Sequence, residues 1–99
     1  MVGLIGKMTA VAGEREALAE ILVAVSAAMP GCLSYVVARD AADPDALWIT
    51  EVWESAEHHQ ASLQSPAVQA AIAEGRPLIA GIGPERVETA PVGGHGLAV

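Results

Sequence analysis

The chain has 99 residues, of which 53% are hydrophobic, more than one domain of this length easily buries, so we expect a second copy to cover part of that surface. Twelve acidic and five basic residues give a formal net charge of −7 without a basic patch, which argues against nucleic acid as a partner. The apolar runs are too short to cross a bilayer and the first residues do not resemble a secretion signal, so we expect a cytoplasmic protein.

Two elements are predicted in the first third of the chain. An apolar, partly alternating run from Val2 to Ala10 predicts the first strand. Through residues 13–31, apolar residues recur at helical spacing, acidic residues stand near the start, and Pro30-Gly31 marks the end. This segment predicts a helix with one apolar stripe, which must lie on a sheet.

The middle of the chain predicts a β-hairpin. Residues Cys32 to Asp40 and Ala46 to Glu54 are rich in β-branched and aromatic side chains. The segment between them, "AADPD", has the turn chemistry of aspartate and proline. The two runs are therefore expected to pair as antiparallel strands.

Two helices and a last strand are predicted after the hairpin. Ser55 is a suitable N-cap for a short helix to about Leu63, and Ser65-Pro66 begins a second helix in "SPAVQAAIAEGRPLIAG". Gly75 and Pro77 weaken or end this second helix. The last strand is predicted at Glu85 to Val92. We interpret residues 1–92 as one domain and residues 93–99 as a glycine-rich C-terminal tail.

The order strand, helix, strand, strand, helix, strand is that of the ferredoxin-like, split βαβ arrangement. The predicted fold class is therefore α+β, with helices on one face of a four-stranded sheet. The other face needs a cover, and the apolar surplus indicates the same face of a second copy. A homodimer is thus the expected assembly.

Three ordered segments also resemble a known family. They are "GEREAL", "PGCLSYVVARDAADPDALWITEVWES" and "LQSPAVQAAI". The chain from about Val2 to Val92 resembles the antibiotic biosynthesis monooxygenase domain, whose members include small quinol monooxygenases. The most specific pieces are Pro30-Gly31 with Tyr35, the strand end Glu51-x-Trp53-Glu54-Ser55, and Ser65-Pro66.

The resemblance implies a dimeric α+β barrel, in which two ferredoxin-like units pack sheet to sheet and each keeps a pocket between its sheet and its helices. It also implies a cofactor-independent oxygenase. In this family a quinol or anthrone-like polyketide reacts with dioxygen without metal, flavin or haem. Deprotonation makes such a ring electron-rich enough to reduce dioxygen, so the protein must remove a proton, hold the ring and exclude water.

The sequence departs from the family pattern in two ways. Family members often carry a histidine three residues before the Ser-Pro pair, and that position is Ser62 here. The chain also contains no asparagine, whereas the haem-degrading relatives rely on one. Haem degradation is therefore not expected.

His59 is the predicted catalytic residue. At helical spacing it shares a face with Ala56 and Leu63, and this face should look toward the sheet. An imidazole titrates near neutral pH, which suits a general base. The alternative is a histidine that is only buried or at the helix rim. His58 points about 100° away, so the adjacent pair should not share a metal ion, and no metal site is predicted.

Trp53, Tyr35 and Glu51 are the predicted substrate-binding residues. Strand alternation places Trp53 and Glu51 on one side and Trp48 on the other. Trp53 could stack on a planar substrate or only anchor the core. Tyr35 could donate to a substrate oxygen or complete the core, and Glu51 is expected to bond to a backbone amide, to Tyr35 or to Arg39.

Two other functions remain open from the sequence. One is an isomerase of the same fold, which would use the same base without oxygen. The other is a non-catalytic dimeric binding or accessory protein for a small hydrophobic metabolite, which Ser62 at the family histidine position favours. Arg76 could pair with an anionic substrate or form a surface salt bridge. His95, in the tail, is a possible ligand or base for a partner chain.

Overall fold

The structure of the protein, a computed structural model, describes residues 1–97. It contains four strands, three α-helices and one short 3₁₀ turn. In chain order these are β1 (Val2–Ala10), α1 (Arg15–Ser26), β2 (Cys32–Arg39), β3 (Ala46–Trp53), α2 (Ala56–Ser62), α3 (Pro66–Gly75), the 3₁₀ turn (Arg76–Leu78) and β4 (Ile79–Thr89).

The strands form one antiparallel sheet in the order β2-β3-β1-β4. The helices lie on one face of it, as predicted for a ferredoxin-like α+β fold. On that face the buried core joins α1 to the strands through Ala10, Leu18, Leu47 and Ile49. No helix among residues 1–97 is long and apolar enough to span a membrane.

In the described part of the chain, the other face of the sheet has no helix on it. A row of side chains crosses this helix-free face in strand order, because the registers pair Val36 with Thr50, Thr50 with Ile5, and Ile5 with Val87. Val36 and Val87 are each 54% exposed. The row is apolar apart from Thr50, so apolar surface remains on this face of a single chain.

The last strand differs from its prediction. It was expected at Glu85 to Val92, but β4 begins at Ile79 and ends at Thr89. The far end of β1 needs a partner for its backbone, and the pairs Ala10 with Ile79 and Met8 with Ile82 supply it. The register shifts between Gly6 and Met8, opposite residues 82–86 of β4. The predicted tail is described as far as Leu97, and residues 98–99 lie outside the described part.

The hairpin turn has the predicted aspartate chemistry. The Asp40 carboxylate accepts hydrogen bonds from the Ala42 and Asp43 amides, each at 2.8 Å, and from Trp48 Nε1 at 2.7 Å. The Asp43 amide bond is the main cause that lowers the Asp40 pKa to about 2, followed by the Trp48 bond. Trp48 therefore belongs to the turn and the helix-free side.

The start of α2 is fixed by a cap and by a glycine. Ser55 Oγ accepts a hydrogen bond from the His58 amide at 3.1 Å, as the N-cap prediction requires. Gly31 has a positive φ of 84°, and a Cβ there would collide with the His58 ring. The Glu54 amide donates to the Gly31 carbonyl at 2.9 Å. α2 therefore packs directly against the backbone that enters β2.

Candidate functional site

Two pockets that share part of their lining lie against the sheet, and we treat them as the two lobes of one cavity. The inner lobe, between the helices and the sheet, has a volume of about 460 Å³ and mainly apolar walls from α1, α3 and β4. The outer lobe, about 300 Å³, lies beside the register shift of β1 and β4. Five residues border both lobes: Met8, Tyr35, Glu51, His59 and Ile82. We call these five residues the junction.

Glu51 and Trp53 form a bonded pair on β3. The Trp53 indole Nε1 donates to Glu51 Oε1 at 3.0 Å, and Trp53 is only 1% exposed. The predicted hydrogen bonds from Tyr35 or Arg39 to Glu51 were wrong. Arg39 donates instead to Glu16, at 2.6 and 2.9 Å. The indole holds one carboxylate oxygen of Glu51, so the other remains available as an acceptor in the cavity.

Tyr35 lies directly opposite Glu51 in the register of β2 and β3. Its burial is the main cause that raises the pKa of the phenol, and the nearby Glu51 and Cys32 add to the effect. The Tyr35 hydroxyl forms no hydrogen bond with any other group of residues 1–97. Tyr35 therefore presents a protonated phenol at the junction, where it can donate to a ligand.

His59 lies on α2 and faces the sheet, as the helical spacing predicted. Its ring meets Trp53 edge to face, with ring centroids 5.3 Å apart and planes inclined by 60°. This contact is a favourable aromatic geometry and limits rotation of the imidazole. The imidazole thus borders both lobes next to Glu51 and Tyr35.

Ser62 lies one helical turn after His59 and also lines the inner lobe. It is 5% exposed, and its hydroxyl donates to the carbonyl of His59 at 2.6 Å. The hydroxyl is therefore occupied by the backbone of its own helix. Of the two positions, only His59 supplies an imidazole to the cavity.

His58 lies outside the cavity. Its Nδ1 is 2.7 Å from Ser55 Oγ and its Nε2 is 3.3 Å from Glu54 Oε2, and its side chain is half-exposed. The two adjacent histidines thus have separate surroundings, as predicted. Within the described part of the chain, no three histidine, cysteine or acidic side chains are grouped as metal ligands.

Sequence reasoning missed most of the cavity lining, including three residues that matter for the arguments below. Met8 and Ile82 belong to the junction, and Arg86 lines the outer lobe. The alternation of β1 could have indicated Met8. Ile82 lies before Glu85, the predicted start of the last strand. Arg86 lies inside the predicted strand, but its pairing with Gly6 of β1 was not predicted. Arg76, singled out earlier, lines the inner lobe.

Comparisons with known proteins agree with this architecture. The profile described as antibiotic biosynthesis monooxygenase matches residues 1–74. A crystal structure from Chloroflexus aurantiacus J-10-fl, described as a candidate antibiotic biosynthesis monooxygenase, is 64% identical over 98% of each chain, with a TM-score of 0.93. One from Deinococcus radiodurans with the same description is 26% identical over 95% of each chain, with a TM-score of 0.77. No curated protein matches the chain.

Proposed function

Because the chain belongs to the antibiotic biosynthesis monooxygenase family, we propose that it is a cofactor-independent monooxygenase that oxidises an electron-rich aromatic with dioxygen. A quinol or an anthrone-like polyketide is the proposed substrate class. The observation that carries the proposal is the position of His59, whose imidazole borders both lobes beside the Trp53 ring. A general base there can reach a phenol whose ring fills the apolar inner lobe.

The proposed reaction begins when His59 removes a proton from the substrate. The resulting anion transfers electrons to dioxygen, a new carbon–oxygen bond forms at a ring carbon, and the oxygen–oxygen bond breaks. One oxygen atom stays on the product, and the other leaves as water with two hydrogens from the substrate. The substrate supplies all four electrons that dioxygen accepts, so the balance needs no further reductant.

Three neighbours of His59 have proposed roles in binding. The Tyr35 hydroxyl donates to a substrate oxygen, and the second Glu51 oxygen accepts from a substrate hydroxyl. The Trp53 ring packs against the substrate and holds His59 in place. The apolar walls keep water from the anion, which protects it until dioxygen arrives.

A homodimer is the proposed assembly, and the cytoplasm the proposed compartment. The support for a second copy is the helix-free face, where the exposed Val36 and Val87 and the half-buried Ile5 form an apolar row. Two such faces packed together would bury the rows against each other. The inner lobe lies on the opposite side of each sheet and would stay accessible.

A binding or accessory protein is the second candidate function. The observation that favours it is Ser62, which replaces the usual family histidine and bonds to its own helix. In that case the same cavity would hold a hydrophobic metabolite without converting it. An isomerase would also use His59, but it would consume no oxygen.

The test is oxygen uptake by metal-stripped protein with a panel of quinols and anthrones. We expect uptake above the spontaneous rate and a fall of about 100-fold or more in His59→Ala and His59→Gln, since a general base contributes about 10²–10⁴. The matched control is Gln60→Ala, one residue away on the same helix but exposed and outside both lobes, which should retain the rate. Circular dichroism checks that each variant folds.

The other outcomes separate the rivals. Tight binding of these aromatics without uptake would support the binding protein. Conversion of substrate without oxygen loss would support the isomerase. Uptake that survives in folded His59→Ala would show that another group removes the proton.

A further inference from the structure

The charges of the cavity differ in sign from those of the whole chain. Three of the five basic residues line the two lobes, but only two of the twelve acidic residues do. With histidines neutral, the lining has a formal charge of +1 and the rest of the chain −8. The basic ones are Lys7, Arg76 and Arg86, and the acidic ones are Glu51 and Glu85.

Among residues 1–97, two of these three cations lack an acidic partner. Lys7 pairs with Glu85 at 3.3 Å, while Arg15 and Arg39 outside the cavity both lie near Glu16. Over residues 1–97, neither Arg76 nor Arg86 forms an ion pair or a side-chain hydrogen bond. The chain has more than twice as many acids as bases, yet within its described part the arginines without an acidic partner are those at the cavity.

Arg86 is the cation best placed for the outer lobe. It lies on β4 directly opposite Gly6 of β1, and both residues line this lobe. Since Gly6 has no side chain, β1 leaves space beside the guanidinium. Lys7, the other cation there, is already engaged by Glu85 and lies 5.8 Å from the Trp48 ring centre. Arg86 therefore remains for a ligand.

We propose that the substrate carries a carboxylate and that Arg86 binds it in the outer lobe. A guanidinium can donate two parallel hydrogen bonds to a carboxylate. The reacting ring must lie near His59 at the junction, whereas Arg86 borders the outer lobe alone. Arg86 thus recognises a substituent of the ring and not the reacting oxygen. This inference rests on the proposed function, since it assumes the same cavity as the substrate site.

The test compares 2-naphthoate with its neutral methyl ester by isothermal titration calorimetry. We expect wild-type protein to bind the acid at least about fivefold more tightly than the ester, with a smaller ratio at high salt. In Arg86→Gln the ratio should fall to about one, and Arg86→Lys should keep part of it. The control Arg39→Gln removes an arginine that pairs with Glu16, outside both lobes, and should leave the ratio unchanged.

Three results would overturn the inference: equal affinity for acid and ester in the wild type, a preference that persists in folded Arg86→Gln, or no binding of either probe. Neither probe is a quinol, so binding is measured apart from oxidation. Oxygen uptake without the carboxylate preference would refute only the Arg86 site. The preference without uptake of oxygen by any substrate would refute the oxygenase and retain the anion site.

Discussion

At the scale of single residues, Tyr35 has the most unusual surroundings for a titratable group. It is the only tyrosine of the chain. Its phenol is largely buried and lies near the negative charge of Glu51. Both disfavour the phenolate, so the pKa rises above its ordinary value of 10.0. Tyr35 should therefore remain a hydrogen-bond donor throughout the physiological pH range.

This surrounding predicts a pH dependence that can be measured. Between pH 10.0 and the higher folded pKa, only the unfolded chain releases the phenolic proton, so the free energy of unfolding should fall as pH rises. Tyrosinate absorbance, which reports Tyr35 alone, should titrate at higher pH in folded protein than in denaturant. Tyr35→Phe should remove this contribution to the slope. A midpoint equal to that of the denatured chain would contradict the buried placement of the phenol.

Alternation and helical spacing predicted which faces the site residues share, but not their bonds. That Glu51 and Trp53 lie on one side of β3 follows from the pleat alone. The bond between them depends on two side-chain rotamers, which the pattern does not contain. The face of His59 was predicted from three residues of one helix, whereas its contact with Trp53 depends on how α2 packs on the sheet. Its role in catalysis stays a prediction.

At the scale of elements, the start of α3 was the boundary that the sequence predicted most accurately. The Ser65 hydroxyl accepts from the Val68 amide at 3.1 Å, and Pro66 occupies the first turn. These are the preferred residues for a cap and a first helical position. The start of this helix could therefore be placed from sequence to the residue.

We expect Ser65→Ala to lower the free energy of unfolding by about 1 kcal/mol, since it removes the cap acceptor. Ser65→Asp keeps an acceptor and adds a negative charge at the helix N-terminus, so it should retain most of the stability. Urea denaturation of the three proteins provides the comparison. Equal losses in both variants would indicate that the cap bond is not the source of the effect.

The start of β4 could not be predicted from the neighbouring residues of the sequence. In residues 76–81, "RPLIAG", the sequence indicated only that Gly75 and Pro77 weaken or end the helix. It did not indicate that a strand begins there. These residues become a 3₁₀ turn and a strand because β1 offers unpaired backbone at Met8 and Ala10. This pairing joins residues about seventy positions apart, and no local pattern reports it.

At the scale of the whole molecule, the apolar surplus of the composition is found again on the helix-free face. Val36 and Val87 lie at the two ends of its row, on the two edge strands. A second copy that covers this row would explain why a 99-residue chain can have 53% hydrophobic residues. The proposed dimer therefore predicts that substitutions on the helix-free face, and not elsewhere on the surface, weaken the association of two chains.

Sedimentation equilibrium should give twice the chain mass of 10.1 kDa. Val36→Asp should weaken the dimer by about tenfold or more, because the new carboxylate would be buried without a partner. The matched control is Val23→Asp on α1, where the valine is 57% exposed but lies away from the helix-free face. A monomeric wild type, or equal effects of the two variants, would contradict the proposed interface.

The size of the cavity depends partly on Gly31, a residue that does not line it. This glycine lines neither lobe, yet its missing side chain lets the His58 ring rest on the backbone that enters β2. His59 is the next residue of the same rigid helix, so the depth to which its imidazole enters the cavity follows from that contact. A relative with a larger residue at this position would hold the helix farther from the sheet. Substrate size in such proteins could thus diverge while every residue that touches the substrate stays the same.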